Sequence, residues 1–160
     1  MPAMARRDPI NPTDDAARAL ARQLIAEAGF GALAVQDPDG GPAPLVSRVA
    51  VAAVEAAPLI LVSDLSLHTR ALLAQPACSV LLGEPGDKGD PLTHPRLTLV
   101  AEAEPVDKAA HRSTWLQRHP KARLYIDFAD FRILRLVPQA ALLNGGFGKA
   151  YRLTAADLRA

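Results

Sequence analysis

Six short runs of β-prone, apolar residues, each closed off by turn formers, constrain this chain more than any other feature. They lie at residues 31–36, 45–54, 59–63, 78–83, 96–104 and 131–137 and predict strands. The first two are joined through Asp37-Pro38-Asp39-Gly40-Gly41 and the next two through residues 55–58, so both links read as hairpins. Alternation is clearest after Arg96, where Leu97, Leu99, Ala101 and Ala103 share one face and Arg96, Thr98, Glu102 and Glu104 the other. Residues 45–54 are apolar on both faces apart from Ser47 and Arg48, which predicts cover by barrel core or by a partner subunit. Antiparallel strands with few helices favour closure into a barrel, because closure removes unpaired edges.

Three helices are expected around these strands. Ala17, Leu20, Ala21, Leu24, Ile25 and Ala28 repeat at helical spacing behind a Thr13 cap, with Asp14 and Asp15 in the first turn. Ser66 caps a second helix ending near Ala74, and Asp107 a third ending near Arg118. Residues 84–95, with three prolines and two glycines, read as an exposed, mobile loop. One domain covers residues 1–160, with 1–12 a flexible arm.

Composition excludes several functions. The 18 basic and 17 acidic residues nearly cancel, which argues against nucleic acid as a partner. No apolar run is long enough to span a bilayer, and residues 1–15 lack the apolar region of a signal peptide, so a cytoplasmic protein with no membrane partner is expected. The single cysteine, Cys78, sits in an apolar run and reads as a buried thiol. The four histidines are scattered, with no metal-ligand spacing and no nucleophile elbow or triad order, so neither a protein-built metal site nor a catalytic residue is assigned.

Three segments carry candidate chemistry. In Ser63-Asp64-Leu65-Ser66-Leu67-His68-Thr69-Arg70 a strand ends and a helix begins. The first N–H groups of a helix lack partners and carry the positive end of its dipole, so a ligand phosphate fits beside Ser66, Thr69 and Arg70, although Ser66 as a plain cap and Arg70 as a solvated charge explain the segment too. Ser47-Arg48 interrupts the most apolar strand, where a charge calls either for an anionic partner or for a rim position with its head in water. In Asn144-Gly145-Gly146-Phe147-Gly148-Lys149, Phe147 either lies against a planar ligand or packs a tight turn into the barrel.

Together these motifs resemble the pyridoxamine 5′-phosphate oxidase-like FMN-binding superfamily, in its haem-utilisation branch. The likeness rests on Pro44-Leu45-Val46-Ser47-Arg48-Val49, the Ser63 to Arg70 segment, Pro95-Arg96-Leu97-Thr98-Leu99, His119-Pro120-Lys121-Ala122, Tyr125-Ile126-Asp127-Phe128-Ala129-Asp130-Phe131 and Gly145-Gly146-Phe147-Gly148-Lys149-Ala150. It implies a mainly β fold with peripheral helices, a six-stranded antiparallel split β-barrel of Greek-key type. It also implies a homodimer with cofactor in the clefts between subunits and a small-molecule substrate. By the same resemblance Ser47, Arg48 and Val49 line the flavin, while Ser63, His68, Thr69 and Arg70 hold its phosphate end, with Arg96 and Thr98 as further candidates. The implied function is that of an FMN-dependent oxidoreductase, with deazaflavin as an alternative ligand and non-catalytic flavin or haem binding as an alternative role. Haem-degrading relatives use a histidine in a C-terminal extension; this chain has none after His119, which leaves His68 as the best remaining candidate ligand.

Overall fold

The computed structural model describes residues 8–159. Ile10–Asn11 (β1) precedes the helix Asp15–Glu27 (α1), and then follow strands Phe30–Val35 (β2), Leu45–Val54 (β3) and Ala57–Ser63 (β4). The helix Leu67–Ala74 (α2) leads into Ala77–Leu82 (β5) and Arg96–Val106 (β6). The helix Lys108–Arg118 (α3) and a 3-10 turn at Pro120–Leu124 come before Phe131–Asn144 (β7), Ala150–Thr154 (β8) and the short helix Ala155–Leu158 (α4).

Strands β2 to β7 close into a six-stranded ring in the order β2, β3, β4, β7, β6, β5, every contact antiparallel. That order is the expected Greek-key barrel. Strand β7 makes the closure possible: it pairs with β6 from Ile133 to Asn144, while its other edge is shared, Phe131 to Arg135 with β4 and Ala140 to Asn144 with β8. Strand β1 then lies parallel to β8. Of the N-terminal arm, residues 1–7 lie outside the described residues, and Ile10–Asn11 is a strand.

The second half of β7 escapes a reading that ends at Val137. Pro138 has no N–H to give a ladder and normally marks a strand's end. Here it stands at a bulge, where Ala101 faces Pro138 and Val100 faces Ala140, between the end of the β4 pairing and the start of the β8 pairing.

Two apolar clusters hold the fold. Inside the barrel, Leu33, Val51, Ile60, Val80, Leu97, Leu99, Leu134 and Leu136 are buried, and α1 contributes Ala21 and Ile25. Outside it, Trp115 of α3, Ala122 of the 3-10 turn and Ile126 just after that turn pack onto Ala52, Leu59 and Ile133. The cover expected on both faces of residues 45–54 is thus supplied, over the second half of β3, by the chain's own helix. The first half, with Val46 and Arg48 exposed, keeps an open outer face.

Helix starts follow local chemistry with one shift. Asp14, not Thr13, caps α1, its Oδ1 accepting the Ala17 N–H at 2.8 Å, while the Thr13 hydroxyl donates to the Arg152 carbonyl at 2.7 Å. Asp107 caps α3 through the Ala109 N–H at 3.1 Å. Ser66 holds the cap position of α2 without a side-chain bond. No helix among the described residues is long and apolar enough to cross a membrane.

Candidate functional site

The barrel opens where β3 and β4 part. Their ladder runs from Val54–Ala57 to Val51–Ile60 and stops, after which β3 continues along β2 and β4 continues along β7. Antiparallel ladders alternate, so one hydrogen bond fixes which backbone groups face which neighbour. The Val51 N–H donates to the Gly29 carbonyl at 3.0 Å, which turns the N–H and C=O of Ser47 and Val49 toward β2 and those of Val46, Arg48 and Ala50 toward the gap. On the other lip, the Asp64 N–H donates to the Asp130 carbonyl at 2.7 Å, which turns Leu61 and Ser63 toward the gap. The Ser63 carbonyl accepts from the Ser66 N–H at 3.0 Å. The remaining groups on the two lips face a wedge that no strand among the described residues fills.

Side chains sort by the same alternation. Val49 is buried in the barrel and Ser47 is half-buried on the same face, whereas Arg48 points outward. Its guanidinium lies 5.6 Å from the centre of the Phe30 ring. Around it is an open cleft of about 360 Å³ that includes Phe30, Ala32, Val46, Leu81 and Glu84. Thr98 lies on this outer row, three strands from Arg48 and so roughly 14 Å away. Arg96 is engaged elsewhere, since its Nη1 donates to the carbonyls of Leu92, at 3.0 Å, and His94, at 3.4 Å, and ties down the 84–95 loop. The cleft therefore gathers Arg48 but neither Arg96 nor Thr98, and it adds Leu81, which local sequence had shown only as a strand residue, and Phe30, which the expected first strand left out.

At the start of α2 the candidates lie together and differ in state. The Ser63 hydroxyl donates to Asp130 at 2.7 Å and accepts the Leu65 N–H at 3.2 Å, so it is committed to shaping the turn. Asp64 next to it is paired in two hydrogen bonds with Arg132, at 2.5 and 2.9 Å, which holds its carboxyl below the usual range. Thr69 is fully buried and its Oγ1 has no hydrogen-bond partner. Burial holds the half-buried His68 imidazole below its ordinary pKa, which keeps it neutral at neutral pH. Arg70 is not solvated alone: its Nη1 and Nη2 donate to the two carboxylate oxygens of Asp39 in the β2–β3 turn, at 2.9 and 3.1 Å.

Elsewhere, Phe147 at the β7–β8 tip is 75% exposed rather than packed into the barrel. Cys78 is buried, its thiol pushed up to about 11 by loss of solvent. Among the described residues no group of three or more His, Cys, Asp or Glu side chains is placed to hold a metal ion.

The family described as CREG, beta-barrel matches residues 12–158. Over 101 residues, 61% of this chain, the sequence is 39% identical to the chloroplastic heme oxygenase HOZ of Arabidopsis thaliana, and it spans 30% of that protein's length. A structure of a heme binding protein from Mycobacterium smegmatis superposes with a TM-score of 0.82 at 31% identity, covering 93% of this chain and 61% of that one. A protein of the pyridoxinephosphate oxidase family from Clostridium acetobutylicum shares the fold, with a TM-score of 0.70 at 13% identity over 91% of this chain and 99% of that one.

Proposed function

The chain belongs to the CREG, beta-barrel family, and from that premise we propose that it binds FMN at the gap between β3 and β4 and works as a flavin-dependent oxidoreductase in a homodimer. The two backbone lips carry this reading. A strand edge offers N–H and C=O groups at fixed spacing, which suits the hydrogen-bonding pyrimidine edge of a flavin, and Val46, Arg48, Ala50 and Leu61 would hold it. The ribityl phosphate would lie toward the start of α2, where unpaired N–H groups, the helix dipole and the orphaned Thr69 hydroxyl fit an anion. Bound flavin supplies the electron-transfer chemistry, while this chain's groups bind and orient it. Deazaflavin, with the same pyrimidine edge, fits these lips equally.

The partner subunit would cover the outer sheet face, on which Val46, Leu81, Val100 and Leu142 are exposed along adjoining strands. The free buried thiol of Cys78 suits a reducing compartment such as the cytoplasm.

A second reading, haem as bound ligand or cargo, draws on the heme names of the Arabidopsis and Mycobacterium relatives. The apolar cleft beside the Arg48 cation suits a tetrapyrrole plane with its anionic propionates, and the neutral imidazole of His68 is a candidate ligand. One experiment separates the readings. The purified protein is titrated in parallel with FMN and with hemin, followed by absorption and native mass spectrometry. Two FMN per dimer is the expected result. Hemin uptake with a Soret band that changes in His68→Ala, together with no FMN uptake, would replace the flavin reading by the haem reading.

A further inference from the structure

Arg70, the only cation on α2, is already occupied by a carboxylate of its own chain. That carboxylate is held in position. The Asp37 Oδ1 accepts the Asp39 N–H at 2.8 Å, and the Gly40 N–H donates to the Asp37 carbonyl at 3.1 Å, with Gly40 at φ +85° completing the turn. The Arg70 and Asp39 side chains are 56% and 64% exposed, so the pair is one that a competing anion can open. A phosphate arriving at the same two N–H groups displaces Asp39, and one that takes the remaining guanidinium N–H groups still meets the Asp39 charge. A ligand without phosphate meets neither demand.

We propose that Asp39 is a specificity-determining residue that sets how strongly the α2 site favours a phosphorylated ligand over its dephosphorylated counterpart, by competing with phosphate for Arg70. The inference rests on the flavin reading for its natural ligand and on the Asp39–Arg70 geometry for its mechanism. As the chain stands, the competition narrows the preference for FMN over riboflavin. Relieving it widens that preference.

The test compares FMN and riboflavin affinities in the wild type, Asp39→Asn and Asp39→Asn/Arg70→Ala. Asp39→Asn keeps the shape of the side chain and removes its charge, and it is expected to raise the FMN-to-riboflavin affinity ratio about fivefold. The gain should shrink as salt is raised and vanish in the double variant. An unchanged ratio in Asp39→Asn overturns the proposal, as does a gain that survives loss of Arg70. Should neither flavin bind any variant, the flavin reading fails separately. Inorganic phosphate titrated against the backbone amide signals of Leu67 and His68 then decides about Asp39: tighter phosphate binding in Asp39→Asn sustains its role, and equal binding refutes it.

Discussion

Replacing Thr69 by valine should stabilise the ligand-free protein and weaken its ligand at the same time. Thr69 is fully buried on the first turn of α2 and its hydroxyl has no partner. A buried polar group without a hydrogen bond costs about 1–3 kcal/mol. Valine keeps the branched shape and exchanges the hydroxyl for a methyl, so little strain opposes the change. Allowing for imperfect fit of the methyl, the gain in unfolding free energy should be about 1–2 kcal/mol, and for a chain of this size each kcal/mol raises Tm by roughly 2–4 °C. If the hydroxyl bonds the ligand's anionic end, that bond is lost as well, and affinity for FMN should fall by roughly fivefold or more, a loss of about 1 kcal/mol. Urea unfolding with an unchanged m-value measures the first effect and calorimetric titration the second. A fall in the urea midpoint would show that Oγ1 has a partner in solution, and the account of an orphaned hydroxyl would be wrong. A stabilised variant with unaltered FMN affinity would instead remove Thr69 from the binding site.

Three further outcomes follow from other parts of the molecule. Val46→Asp/Leu81→Asp should convert a dimer to a monomer in sedimentation while leaving the circular dichroism spectrum intact; a variant that still sediments as a dimer places the interface elsewhere. The Asp157 carboxyl, bonded first to Arg18 and then to Thr154, is lowered from 3.8 to about 2. Its folded pKa lies below the unfolded one, so its contribution is present above about pH 4 and is lost as pH falls toward 2. Acid titration of stability should therefore fall more steeply in that window for the wild type than for Asp157→Asn, and parallel curves would contradict the assignment. Cys78, with its thiol pushed up to about 11, should resist a thiol reagent at mildly alkaline pH until the barrel unfolds, and rapid labelling of the native protein would show an opening near β5.

Much of the barrel is a local property of the chain. Short apolar, β-prone runs bounded by turn formers located the six barrel strands, and the carboxylates of Asp14 and Asp107 began their helices because a helix's first N–H groups need acceptors nearby in sequence. In the folded strand Ser47 and Val49 face away from Arg48, although the three had been expected to line the flavin together. Which of the two sides is the cleft was not legible, since that depends on α3 covering the second half of β3 and leaving the first half open. The short strands β1 and β8 and the second half of β7 exist through pairing across the fold rather than through propensity, and Pro138 concealed the last of these. The gap arises because β3 and β4 choose different neighbours beyond Val51 and Ile60, a choice made by ring closure. The Arg70–Asp39 pair joins residues 31 apart, whose sequence contexts announced only a turn and a helix start. Spacing along the chain sets periodicity and caps, whereas the state of a charge depends on which distant group the folded chain brings within hydrogen-bond reach.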